Sequence, residues 1–150
     1  LGGVMLMGGN TVIRRSVLER VLPYPEHLGK IGKKIRSGED EVIYHRLLGL
    51  GANGVVVPGL IVHHWIPSAR LTKKYFRQWA IGRGIAQGFQ LRERGFTEAR
   101  LFGMPRYKIR IAARACLQMV MGSSRKKRFT AQLTVLDIMA ALYGVHFFYG

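Results

Sequence analysis

Cysteine, acidic residues and long apolar runs are all scarce in this sequence of 150 residues. The single cysteine, Cys116, can form neither an internal disulfide nor a cysteine-rich zinc site, which excludes disulfide-stapled folds and is typical of a reducing compartment. A simple membrane span needs roughly 18 uncharged apolar residues, and the best candidate, residues 138–150, is shorter and contains His146. The motifs of P-loop proteins, α/β-hydrolases and zinc metalloproteases do not occur.

Basic residues are abundant and unevenly placed. The chain carries 24 Lys and Arg against 8 Asp and Glu, for a formal net charge of +16. Residues 1–68 account for +3 of this charge and residues 69–150 for +13. Such a field attracts nucleic acid, anionic lipid or phosphorylated substrates, and composition alone does not choose among them. Because 48% of the residues are hydrophobic, the chain can still build a packed core.

The first half alternates strand and helix signals. Residues 4–13 predict a strand that Gly8-Gly9-Asn10 interrupts with small side chains. A helix is predicted to open at residues 37–40, and the β-branched runs 55–57 and 60–63 predict one bent strand or two separate strands. This strand, helix, strand order predicts an α/β fold.

The second half has a helical pattern. Apolar residues recur on one side of a helix that follows Ser68, with Trp79 among them, which favours a core position for Trp79 over a sugar-stacking one. Pro105 and Gly122 bracket a second helix, and a basic loop at residues 125–128 is predicted to precede a last helix. We interpret residues 69–150 as a basic helical extension of a domain formed by residues 1–68.

The best candidates for chemistry are Glu39 and Asp40, which lie in the first turn of the predicted helix. The positive end of the helix dipole stabilises negative charge there, and an ionised carboxylate can act as a base. On spacing alone, the simpler interpretation is that both acids only interact with the dipole. His63 and His64 end a predicted strand, where one imidazole can face a metal site; a structural, hydrogen-bonded histidine is the alternative.

Taken in order, three short motifs resemble the C-terminal half of family 2 glycosyltransferases. The motifs are Gly8-Gly9-Asn10 with Arg14-Arg15, Gly38-Glu39-Asp40 with Arg46-Leu47, and Pro58 with His64. The resemblance implies the acceptor side of a GT-A, Rossmann-like α/β domain that transfers a sugar with inversion from a nucleotide-diphosphate-sugar to a saccharide or lipid-linked acceptor.

The resemblance also implies roles for single residues. Asp40 would be the catalytic base and Glu39 would shape the acceptor site. Gly9 and Asn10 would line the loop under the donor sugar, His64 would ligate a divalent metal (Mg²⁺ or Mn²⁺), and Arg70 would lie near the diphosphate. The family's Asp-x-Asp metal motif is absent from this sequence. We therefore expect a donor-binding half upstream of Leu1, without which the chain is incomplete.

The basic second half predicts a peripheral position at the cytoplasmic face of a membrane, with an anionic lipid surface as a partner. Two other interpretations stay open at this point. A non-enzymatic basic module that binds nucleic acid is consistent with the sequence pI of about 11.0 but leaves the acidic pair unexplained, so nucleic acid is not favoured as a partner. The other interpretation is a scaffold protein that has kept the fold and lost catalytic activity.

Overall fold

The computed structural model describes residues 8–26, 28–30, 32, 35, 37–93 and 100–147, and this part of the chain is mostly helical, with 62% helix. The helices are α1 (Arg15–Leu18), α2 (Glu39–Gly49), α3 (Lys73–Glu93), α4 (Arg106–Met121) and α5 (Arg125–Phe147). Short 3-10 turns lie at Gly8–Asn10 and Ser68–Arg70. The strands β1 (Arg100–Leu101) and β2 (Met104–Pro105) form an antiparallel hairpin.

The predicted α/β fold is wrong. In the described part of the chain the sheet consists of β1 and β2 alone, and neither strand coincides with a predicted one. Residues 8–10 of the first predicted strand form a 3-10 turn, and residues 1–7 lie outside the described residues. Residues 55–57 and 60–63 are exposed and have no regular structure. Their β-branched side chains favour extended backbone, but a strand also needs a hydrogen-bonded neighbour, and the described residues supply none. The expected half of a GT-A, Rossmann-like domain is therefore not what these residues form.

The three helices predicted for the second half are confirmed, with one difference at the start of α5. Residues 125–128, predicted as a loop, form the first turn of that helix. The reason is a serine cap, because Ser124 Oγ accepts a hydrogen bond from the backbone N–H of Lys127 at 3.2 Å. The loop between α4 and α5 is thus reduced to residues 122–124.

Helices α3, α4 and α5 pack into a bundle in which α3 and α5 run parallel. Near their starts, Arg77 Nε donates to Gln132 Oε1 at 3.1 Å, and near their ends Gly88 lies against Ala141. Helix α4 packs on α5, and the buried cluster of Met104, Ile138 and Ala141, with Ile109 and Ala112 of α4 against it, joins the hairpin, α4 and α5. Burial of these apolar side chains supplies the main stabilisation of the bundle.

Helix α2 is held against α3 by apolar packing and by one buried amide. Val42 of α2 packs with Leu28 and Ala86 in a second buried cluster. The Gln90 side chain, 4% exposed, donates from Nε2 to the backbone oxygen of Gly38 at 3.2 Å. Gly38 precedes α2 with a φ of 107°, in the left-handed region that favours glycine. This contact fixes the start of α2, and with it the acidic pair, relative to the bundle.

Candidate functional site

The start of α2 presents Glu39 and Asp40 in different surroundings. Asp40 is half-buried, and its Oδ2 accepts a hydrogen bond from the backbone N–H of Gly8 at 3.0 Å. Its Oδ1 accepts from the backbone N–H of Glu41 at 3.1 Å. Among the residues that the structure describes, Asp40 forms no ion pair, so its carboxylate is oriented by backbone amides and not neutralised by a cation.

The turn Gly8–Asn10 lies directly over Asp40. A Cβ atom added at Gly8 would be 3.3 Å from Asp40 Oδ2, so a side chain there would crowd the carboxylate. A Cβ added at Gly9 would meet nothing within 4 Å among the described residues, since this glycine is exposed. The arrangement therefore places a fixed carboxylate next to an exposed turn.

Asn10 connects this turn to the segment that carries the third motif. Its Nδ2 donates to the backbone oxygen of Leu60 at 3.0 Å, across 50 residues of sequence. Leu60 lies between Pro58 and His64, so the turn Gly8–Asn10 contacts both Asp40 of the second motif and the segment that separates the two residues of the third. Leu60 contributes only its backbone carbonyl to this contact. Since every residue has a backbone carbonyl, the sequence could not predict that Leu60 makes the contact.

Glu39 turns toward the loop that precedes α2. Its carboxyl carbon lies 3.1 Å from the position that a Cβ of Gly29 would occupy. Its Oε2 is buried and has no hydrogen-bond partner among the described residues. The Gly29 backbone, with a φ of 79°, leaves the space that the carboxyl group fills. The sequence analysis did not identify Gly29 and Gln90 as residues that support the acidic pair. The only signal for Gly29 was that it is a glycine in a predicted loop, and Gln90 had no signal in the sequence.

The other predicted site residues lie apart from this cluster. His64 is exposed in the extended segment, and Arg70 lies in the turn Ser68–Arg70 with its guanidinium 5.9 Å from the Tyr75 ring centroid. None of the hydrogen bonds or ion pairs in the described part of the chain joins either residue to Glu39 or Asp40. The structure thus places the turn with Gly9 and Asn10 beside Asp40, turns Glu39 toward Gly29, and leaves His64 and Arg70 apart from both.

A metal site does not follow from the described residues. They contain no group of three or more His, Cys, Asp and Glu side chains placed to hold a metal ion. His64 by itself offers one imidazole on an exposed segment, which is too few ligands for Mg²⁺ or Mn²⁺ and of a type that these oxygen-preferring ions seldom use alone.

Trp79 is only partly in the core. It is half-buried, and the guanidinium of Arg83 lies 4.7 Å from the centroid of its ring. Arg83 Nε also donates to Asp137 Oδ1 at 2.8 Å. One face of the indole is therefore covered by a cation that is itself held by a buried carboxylate.

Comparison with protein-family models, with curated proteins and with solved structures gives no match. Of the helices in the described ranges, none has the length and apolar character that crossing a membrane requires.

Proposed function

We propose that this chain is the acceptor side of an inverting glycosyltransferase in which Asp40 is the catalytic base. The observation that carries the proposal is the contact between Asp40 Oδ2 and the Gly8 N–H, beside the exposed Gly9. The three motifs support the same role for Asp40, whereas the α/β fold that the resemblance implies forms no part of the proposal.

The reaction needs a carboxylate within about 3 Å of the acceptor hydroxyl. Asp40 takes the hydroxyl proton while the acceptor oxygen attacks the anomeric carbon of the donor sugar. The bond between that carbon and the diphosphate oxygen breaks, and the nucleoside diphosphate leaves with the electron pair on the face opposite the attack. Two backbone amides hold the Asp40 oxygens in place, which lowers the entropic cost of reaching the reactive geometry.

Donor binding is assigned to a nucleotide-binding part that these 150 residues do not supply. The sequence contains two aspartates, Asp40 and Asp137, so no Asp-x-Asp motif is present. Residues 55–66 form an exposed apolar segment; Val55, Ile61 and Trp65 are 88%, 71% and 81% exposed. An apolar surface of this kind is normally covered, and a donor-binding part packed on it would bring the nucleotide-sugar toward the turn Gly8–Asn10.

The test is Asp40→Asn in the protein that includes the donor-binding part. Turnover with nucleotide-diphosphate-sugars should fall by about 10²- to 10⁴-fold, because the amide cannot accept the proton. Donor affinity should stay nearly unchanged, and the free energy of unfolding should fall by about 1 kcal/mol, because Asn keeps an oxygen for the Gly8 N–H but loses the acceptor for the Glu41 N–H. Transfer of radiolabelled sugar to an acceptor and binding of the nucleoside diphosphate measure the effects on turnover and on donor affinity.

Glu41→Gln is the matched control, since Glu41 lies in the same helical turn and is also half-buried. It should leave turnover within about twofold, as expected for a group that does not touch the reacting atoms. Near-normal transfer by Asp40→Asn would reject Asp40 as the base.

A further inference from the structure

The outward face of α4 changes character along its length. Arg106, Arg110 and Arg114 are exposed and follow one another at four-residue spacing, so they share one side of the helix. The last turn on this side carries Leu117, Val120 and Met121, which are 62%, 78% and 79% exposed. We call these three side chains the α4 tip. The opposite side of α4 is buried at Ala115.

The start of α5 places a second basic group next to the α4 tip. The turn at residues 122–124 is short, and Arg128 Nε closes it by donating to the Gly122 backbone oxygen at 2.8 Å. Residues 125–128, all Arg or Lys, are exposed. The α4 tip therefore lies between Arg110 and Arg114 on one side and residues 125–128 on the other.

Acidic side chains are nearly absent from residues 100–147, the described segment that carries this charge. The one acidic residue between positions 100 and 147 is Asp137, which is 7% exposed and paired with Arg83. The exposed surface of α4 and of the first turn of α5 is therefore of a single sign. A partner that covers it must be negatively charged and must also accept aliphatic side chains.

We propose that the α4 tip and its flanking basic residues dock the protein on the surface of an anionic lipid bilayer. The aliphatic side chains enter the boundary between headgroups and acyl chains, and the Arg and Lys side chains bind lipid phosphates. A nucleic acid would use the charge but leave the aliphatic tip in water. A second copy of the chain would bring like charges face to face. The inference does not depend on the proposed sugar transfer.

The test is flotation of the full chain with vesicles of phosphatidylcholine, with and without phosphatidylserine. The triple variant Leu117→Gln, Val120→Gln, Met121→Gln should lower the partition coefficient by about tenfold or more, because Gln keeps helix propensity but removes apolar area. The double variant Arg110→Gln, Arg114→Gln should lower it by about tenfold on phosphatidylserine vesicles only. If the triple variant does not fold, the double variant still tests whether the protein binds anionic vesicles through this surface.

The matched control changes three exposed side chains farther along α5, Met139→Gln, Tyr143→Gln and Phe147→Gln. These side chains are 64%, 52% and 66% exposed, and the control should change partitioning by no more than about twofold. An equal loss in this control, or binding that ignores phosphatidylserine and salt, would overturn the proposal. So would salt-sensitive binding to duplex DNA without vesicle binding, or a dimer in sedimentation equilibrium that the α4 tip variant dissociates.

Discussion

Glu39 and Asp40 are neighbours in one helical turn, yet the structure gives them different surroundings. Asp40 faces the exposed turn Gly8–Asn10, whereas Glu39 Oε2 is buried against the loop at Gly29. Their place in the first turn of a helix was predictable from sequence, because acidic residues there oppose the positive end of the helix dipole. Which of them faces the exposed turn was not predictable, because the deciding contacts come from backbone about 30 residues earlier for Asp40 and 10 residues earlier for Glu39.

Lys108 gives a residue-scale prediction about pH. Burial lowers its pKa below the ordinary value of 10.5; Asp137 raises the pKa in part, and Arg83 lowers it further. The unfolded chain therefore binds more protons than the folded chain in the pH range just below 10.5, so the free energy of unfolding should rise with pH there. In Lys108→Met this rise should be smaller. Urea unfolding at about pH 7 and about pH 10 measures both slopes.

A matched control for Lys108 is Lys74→Met, at an exposed lysine of α3. It should keep the pH dependence of the unchanged protein. An identical slope in Lys108→Met and in the unchanged protein would contradict the assignment of the effect to Lys108. Loss of the 2.8 Å hydrogen bond from Lys108 Nζ to Gln87 Oε1 lowers stability at both pH values and so does not mimic the change in slope.

At the scale of elements, α3 is unusual because it buries two faces. Ala86 packs toward α2, while Gly84 and Gly88 face α5. The periodic pattern predicted a single apolar side for this helix, since small residues carry little hydrophobic signal. Glycines four residues apart instead let the two helix backbones come close, and this role depends on a partner helix about 50 residues away in sequence.

Gly88→Ala tests this close approach. The added Cβ would collide with the Ala141 backbone oxygen and lie 2.8 Å from the Val145 nitrogen, so α3 and α5 must separate. We expect a loss of about 1–3 kcal/mol in the free energy of unfolding, although alanine is the better helix former. Thermal or urea unfolding measures it. Gly49→Ala in α2, where a Cβ meets nothing within 4 Å, is the control and should leave stability unchanged or higher. Equal losses in the two variants would refute the packing argument.

At the scale of the whole molecule, the net charge of +16 acts on folding as well as on binding. The ion pairs Arg15–Glu19 and Glu41–His45 join residues four apart near the surface, so each contributes little. Arg83–Asp137 links α3 to α5. Asp137 is the one acidic residue between positions 100 and 147. Repulsion among the remaining cations therefore opposes the compact state.

Moderate salt should stabilise this chain. Raising NaCl from about 0.02 M to about 0.3 M shortens the Debye length and screens the repulsion, so Tm should rise by about a few degrees. Differential scanning calorimetry measures the shift. A variant with Arg20→Gln, Lys74→Gln and Lys126→Gln, all at exposed positions, removes three positive charges and should gain less. A Tm that falls with salt, or an equal gain in this variant, would show that repulsion is not a leading destabilising effect.

The amino-acid sequence alone determined the charge asymmetry, the three long helices and the first-turn position of Glu39 and Asp40, because periodicity, capping residues and composition act locally. Only the tertiary structure decided that residues 55–63 lack a strand partner in the described chain, that Asn10 reaches Leu60, and that glycines bring α3 onto α5. Strand pairing and site assembly both depend on contacts between segments distant in sequence, and local propensity carries no information about which segments meet.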